Sequence, residues 1–314
     1  MKEISQSTVM EPKEVLKGIT IEPRMAKTSA GDVEFDLSRG DGPVVMSIHG
    51  GIGGLDQGRV MAAWIDTSRY RVLSPSRPGY LGTPLEVGET MEQQADALAA
   101  LLDVLGIDKV MPMGASAGGP PAYTFAMRHP DRVWGLMVID GVSGYYDMPE
   151  TAGPIAQAIF LSDIGQGIIQ KISKVKPDQM LKSIFQAESY FTKEQMKKHI
   201  DYVLGNKQAL QFVEAFMTTM RPYKLRKPGT ENDMVQFSGY THLPLEQVKC
   251  PTMIFHGTHD SDVKFYDGVY AYEHIQGAEK FWIEEGSHLG FWLSPNGTPA
   301  RKAAEGFMDK HRPG

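Results

Sequence analysis

Gly114-Ala115-Ser116-Ala117-Gly118 sets a serine among small residues, between an apolar run at 110–113 and a helix-period segment that ends before Pro130. A sharp strand-to-helix turn of this kind lifts a serine hydroxyl clear of a sheet as a nucleophile. The turn strains the serine backbone, and side chains two positions away would clash, so Gly114 and Gly118 supply the room. The helix that follows aims backbone N–H groups at the place where a negatively charged oxygen would form. The chemistry expected of Ser116 is attack on a carbonyl carbon.

A serine hydroxyl is a weak nucleophile near neutral pH and needs a base, which in turn needs a group to orient it. Of nine histidines, His288 is the candidate base, in Gly286-Ser287-His288 just after the strand-like run at 280–283. His129 stands at a helix end, His199 in a helical stretch, and His256 at a strand end, while His49 props its own loop. The acid is expected in His256-Gly257-Thr258-His259-Asp260-Ser261-Asp262, which follows the run at 252–256. Asp260 is preferred to Asp262 by its spacing from Gly257, and Asp140, ending the run at 133–139, is a further rival.

A second donor for the developing oxyanion is expected from His49-Gly50-Gly51-Ile52-Gly53-Gly54, where Gly50 and Gly51 allow the backbone close to a bound carbonyl. The hole is assigned to the backbone N–H groups of Gly51 and Ala117. A phosphate-binding reading of this loop fails because the Lys and Ser/Thr of a P-loop are absent. Gly50 and Trp292 are the candidate substrate-binding residues, Trp292 because it follows His288 closely.

Positioning these residues requires an α/β sheet, and strand-length apolar runs do alternate with helix-period segments. The runs 24–30 and 33–37, joined by Ala30-Gly31-Asp32, predict an antiparallel hairpin at a sheet edge. The runs 44–48, 70–73, 110–113 and 133–139 follow as strands, with 252–256 and 280–283 returning near the end. Thr90 and Gln93 form a capping-box pattern, and Met91, Ala95, Leu98, Leu102 and Leu105 keep one helical face until Gly106. A last helix is expected at about 300–310.

Between 143 and 245 the strand rhythm is lost and helical periodicity takes over. Ile155, Ile159, Ile164, Ile168, Ile169 and Ile172 recur on helical faces, as do Phe212, Val213, Phe216, Met217 and Met220. The stretch 221–229, with Arg221, Lys224, Arg226 and Lys227, reads as an exposed connector with solvated charges. The domain assignment is a core of 1–142 and 246–314, interrupted by a helical block at 143–245.

At 314 residues, with 41% apolar and 22% charged residues, the composition is that of an ordinary globular protein. A net charge of −6 disfavours nucleic acid as a partner. The single Cys250 excludes an internal disulfide and a Cys-rich metal site, and reads as a small buried filler. No metal is expected, since no cluster has ligand spacing such as H-E-x-x-H. No signal-peptide core and no membrane-length apolar run is present, so a cytoplasmic location is expected, without membrane association. The expected partner is a small-molecule substrate, with a homodimer allowed.

His49-Gly50-Gly51, Arg77-Pro78-Gly79-Tyr80, the serine turn, Gly257–Asp260 and Gly286-Ser287-His288 together resemble the α/β-hydrolase superfamily, across about 24–311. The resemblance implies a mostly parallel sheet flanked by helices, with a helical cap inserted where the block at 143 starts. It implies a cofactor-free serine hydrolase of the carboxylesterase kind, with a Ser116–His288–Asp260 triad and Ser, Asp, His in chain order. An ester, lactone or related acyl bond of a moderately hydrophobic molecule is the expected substrate. Its activity is expected to rise with pH through about 6.5–7, the ordinary imidazole range.

The His-Gly-Gly loop also resembles that of carbon–carbon bond hydrolases acting on ring-cleavage products, and that of proline iminopeptidases. The latter usually carry Pro-Gly where Ile52-Gly53 stands here. Haloalkane dehalogenases and epoxide hydrolases use an aspartate nucleophile, against which Ser116 argues. A carbon–carbon hydrolase is the alternative within enzymes, and a non-hydrolytic ligand receptor on the same fold is the alternative outside them.

Overall fold

The structure, a computed structural model, describes residues 3–146, 162, 163, 165, 167 and 176–314. Its strands are β1 (Ile4–Gln6), β2 (Lys13–Leu16), β3 (Ile19–Ile21), β4 (Arg24–Thr28), β5 (Gly31–Leu37), β6 (Val44–Ile48), β7 (Arg71–Pro75), β8 (Val110–Ala115), β9 (Leu136–Ile139), β10 (Thr252–Gly257) and β11 (Glu279–Ile283). Nine of them form one sheet in the order β1-β4-β5-β7-β6-β8-β9-β10-β11. From β7 to β11 neighbouring strands are parallel, whereas β1, β4 and β5 are antiparallel to theirs.

The central strands β6, β8, β9 and β10 are buried along their whole length. Parallel strands covered on both faces read as continuous apolar runs, which is why they stood out in the sequence. Strand alternation still sorts their side chains. Val45, Met111, Met113, Met137, Ile139 and Phe255 pack into one core layer, and Val44, Met46, Ile48, Leu136, Val138 and Ile254 into the other.

Helices α1 (Leu55–Met61), α2 (Met91–Leu105) and α3 (Gly119–Arg128) fall between the strands from β6 to β9. Thr90 and Gln93 close a reciprocal capping box on α2, and Gly106 ends that helix at φ 64°. Helix α3 begins at Gly119, earlier than its apolar period suggests, because Pro120 and Pro121 fit a first turn whose N–H groups need no helical partner. The predicted hairpin is β4–β5, but β1 pairs outside β4 and so forms the edge. β1 and the separate β2–β3 hairpin carry too few residues to announce a period.

Between β9 and β10 the described elements include α4 (Pro177–Glu188), α5 (Lys193–Gly205), α6 (Lys207–Thr218) and α7 (Lys227–Ser238). The isoleucine pattern from Ile155 to Ile172 lies outside the described residues. On α6, Phe212, Val213 and Phe216 are buried, and Phe212 stacks on Trp292 at 5.5 Å. After β10 come α8 (Phe265–His274), α9 (Gly290–Leu293) and α10 (Gly297–His311). Among the described residues no helix is long and apolar enough to cross a membrane.

The stretch 221–229 corrects the expectation of a solvated connector. Arg226 is 0% exposed and donates to Gly53 O at 2.6 Å, to both oxygens of Asp56 at 3.1 and 3.0 Å, and to Arg221 O. A periodicity argument weighs charges by sequence neighbourhood, and Asp56 is far away in the chain. The exchange is reciprocal: Arg77 makes a two-pronged pair with Asp233 of α7, at 2.8 and 2.6 Å. Tyr80 adds its hydroxyl to the same carboxylate at 2.6 Å, and its ring packs against Gly229, where no Cβ would fit.

Deleting one member of a buried pair strands the other charge, at about 3–5 kcal/mol. Arg226→Met should therefore lower unfolding free energy by about that much, read from urea denaturation. A loss under about 1 kcal/mol would mean that Lys13, 3.3 Å from Asp56, suffices as its partner.

Candidate active site

Strand β8 runs straight into the serine turn, and Ser116 takes φ 55°, in the left-handed region. A non-glycine residue held there costs about 1–3 kcal/mol, so the surroundings must enforce it. Enforcement is steric. A Cβ on Gly118 would drive into the carbonyls of Ile48 and His49 at the end of β6, and one on Gly114 into Gly118 O and Ala122. The two glycines thus let β8, α3 and β6 close around the turn. Ser116 is half-buried, and its Oγ has no hydrogen bond among the described residues.

The Gly-rich loop after β6 lies against that turn. A Cβ on Gly50 would sit 3.2 Å from Ser116 Cβ, and one on Gly51 3.9 Å from Ala117 Cβ. The Gly50 N–H is held by Gln57 Oε1 at 3.0 Å, so Gly50 contributes room beside Ser116 rather than a donor. Gly51 and Ala117, the pair assigned from sequence, are brought side by side. His49 props the loop: its Nδ1 donates to Gly50 O at 2.8 Å and its Nε2 accepts the Arg77 N–H at 3.0 Å. Burial, aided by the Arg77 and Arg226 charges, pushes its pKa well down and keeps it neutral.

The base and acid meet across the loops after β10 and β11. His288 Nδ1 lies 2.8 Å from Asp260 Oδ2. Asp260 Oδ1 accepts the N–H groups of Asp262 and Val263 at 2.9 and 3.0 Å, which locks the carboxylate in its turn. Burial raises the Asp260 pKa, but His288 and His256 outweigh it and hold the group below the ordinary carboxylate value.

Asp140, the rival acid, instead accepts the Gly257 N–H at 2.7 Å, and burial pushes its carboxyl up to about 7. Asp262 is on the other side of the ring, with Oδ2 3.3 Å from His288 Nε2. Burial works against the His288 charge, but Asp260 and Asp262 together raise its pKa well above 6.5.

Asp140, His256 and Asp260 bring one donor atom each within 4.8 Å of one another. Those groups already serve protein contacts: Asp260 holds His288, His256 Nε2 faces Val263 O at 2.9 Å, and Asp140 holds Gly257. Trp292 requires a second correction. It is buried, donates to Met61 O at 2.9 Å and stacks on Phe212, so its surroundings make it interior packing rather than a pocket border. Cys250 is half-buried, and burial pushes its thiol up to about 11.

Glu188, at the end of α4, is a site neighbour that no sequence signal marked. Its carbonyl accepts the N–H groups of His288 at 3.1 Å and Ser261 at 3.4 Å, and Ser189 bridges to Asp260. Its Oε2 is buried without a partner, and burial raises the carboxyl to about 8. A raised carboxyl keeps its proton in the fold after the unfolded chain has lost it, so its stability contribution falls as pH rises from about 4.5 to 8. Glu188→Gln should flatten the decline in urea midpoint across that window and raise stability at pH 9 relative to wild type. An unchanged pH dependence would place the ionised carboxylate in solvent.

The family model described as alpha/beta hydrolase fold matches residues 43–295. A solved alpha/beta hydrolase fold protein from Nakamurella multipartita is 31% identical, with a TM-score of 0.83 over 91% of this chain and 98% of that one. The hydrolase YcgS of Bacillus subtilis (strain 168) is 26% identical over 89% of this chain and 95% of its own. A 2-hydroxy-6-oxononadienedioate/2-hydroxy-6-oxononatrienedioate hydrolase of Burkholderia vietnamiensis (strain G4 / LMG 22486) is 25% identical over 84% of each chain. With the parallel sheet described above, the family-model match places the chain in the α/β-hydrolase fold family, to which it belongs.

Proposed function

We propose that the protein is a serine hydrolase that cleaves a carboxylic ester, lactone or related acyl bond of a moderately hydrophobic small molecule. The observation that carries the reading is Ser116 held at φ 55° beside Gly51 and Ala117, with a His288–Asp260 pair at 2.8 Å in the same fold. In this mechanism His288 Nε2 takes the Ser116 proton as Oγ attacks the carbonyl carbon. The oxygen that gains the charge rests against the Gly51 and Ala117 N–H groups. Collapse breaks the bond to the leaving alkoxide, which receives the proton from His288. Water then repeats the sequence on the acyl-enzyme, and the acid leaves. Asp260 fixes the tautomer of His288 and stabilises its cation.

The block at 143–245 acts as a cap in this reading. Its support is the contact of Glu188 with the His288 and Ser261 amides, together with the arginine–aspartate pairs that tie α7 to the serine side of the sheet.

A second reading rests on the names of the relatives. The Burkholderia protein is named for hydrolysis of 2-hydroxy-6-oxo dienedioates, and a chain using the same triad on such a compound would cleave a carbon–carbon bond.

Ser116→Ala should lower kcat/KM on p-nitrophenyl esters by about 10⁴–10⁶-fold and abolish covalent labelling by a fluorophosphonate. Labelling that persists in the mutant would remove Ser116 from the mechanism. Turnover of a vinylogous 1,5-diketone with no ester turnover would favour the second reading. Because the base must be neutral to act and its charged form is stabilised, the rate should climb with pH along a limb centred above 6.5. A limb centred at or below that value would argue against His288 in its present surroundings.

A further inference from the structure

Nε2 of His288 is the atom that must accept the Ser116 proton, yet in this structure it faces a carboxylate. Asp262 Oδ2 lies 3.3 Å from it, while Ser116 Oγ has no hydrogen bond among the described residues. Asp262 is held in place twice over. Its Oδ1 accepts the Tyr146 hydroxyl at 2.7 Å, and its N–H is tied to Asp260 Oδ1 at 2.9 Å. One short turn therefore presents two carboxylates, Asp260 to Nδ1 and Asp262 to Nε2. An imidazole with Nδ1 hydrogen-bonded to one carboxylate and Nε2 in ion-pair range of another is favoured as the cation.

We propose that Asp262 is a positioning residue whose carboxylate, set beside Nε2 of His288 by the Tyr146 hydroxyl and the Asp260 turn, favours the charged ring and so limits the neutral base offered to Ser116. The proposal rests on the reading of His288 as the base for Ser116. A ring kept charged by this ion pair has no lone pair on Nε2 for the serine proton, so a stronger Asp262 contact means less free base.

The other groups around the ring do not do this work. Asp260 is buried on the Nδ1 side and orients the ring without blocking Nε2. Asp140, from the end of β9, is occupied with the Gly257 N–H. His256, in β10, faces Val263 O and lies 3.4 Å from Asp260. Glu188, from α4, contacts His288 through its main-chain carbonyl, and its buried carboxyl stays protonated near neutrality. Asp262 is the partner that can be neutralised without exposing a buried charge, since its side chain is 25% exposed.

The test is a pH titration of the His288 ring by ¹⁵N NMR in wild type, Asp262→Asn and Asp262→Ser, beside the pH profile of ester turnover. An opposite charge at this range is worth about one unit or more, so both variants should move the His288 midpoint down by about one unit. Below both midpoints, turnover should rise by about tenfold per unit moved. A ring midpoint that does not move in whichever variant folds overturns the proposal, whatever the activity. Should the midpoint fall as expected while no protein hydrolyses esters, the positioning role stands and the ester reading fails.

Discussion

Two buried ion pairs, exchanged between the sheet core and the inserted helices, underlie the site's geometry. Arg77 of the core reaches Asp233 of α7, and Arg226, just before α7, reaches Asp56 of α1. Four ionised groups out of water are tolerated only when each is matched in geometry and its remaining hydrogens are used. Here the leftover donors go to the Gly-rich loop: Arg226 to Gly53 O, and Arg77 to Gly50 O and, through its amide, to His49. The carbonyls of that loop are thereby turned toward the arginines. The loop that carries Gly51 is held from behind by the same charges that dock α7.

The serine turn depends on that placement. Gly118 packs against the carbonyls of Ile48 and His49, so the end of β6 and the start of the loop form the surface on which the turn closes. A left-handed Ser116 is unfavourable alone and persists only where its neighbours leave no relaxed alternative. Asp140, in the left-handed region at the end of the adjacent β9, is likewise fixed by its bond to Gly257. The strain thus sits at the carboxyl ends of the central parallel strands, where loops from several strands converge.

What the sequence discloses and what it hides divide along the range of the interaction. Ser116, Gly51, Ala117, His288 and Asp260 were legible because each lies in a loop directly after a buried strand, and buried parallel strands are the loudest apolar signal in the chain. Helix α2 was legible through its cap. Arg226 was misread because a basic stretch looks solvated until its partner, far away in sequence, is known. Glu188 carries no local signature, since what matters is its carbonyl and the burial of its carboxyl, both set by tertiary contact. Asp262 reads from sequence as a substitute for Asp260, whereas the turn sets the two carboxylates beside opposite nitrogens of His288. Trp292 was drawn to the site by closeness in sequence to His288, but α9 turns it inward onto Phe212.

Four carboxyl groups crowd His288, and they cannot all be ionised in so little water. Burial raises the carboxyls of Asp140 and Glu188, while His288 and His256 hold Asp260 below the ordinary carboxylate value. The result favours the protonated imidazole, which is the form His288 must adopt once Ser116 has given up its proton. Carboxylates placed this way stabilise the imidazolium without any movement of the ring's surroundings. The same stabilisation leaves less of the neutral base near pH 7.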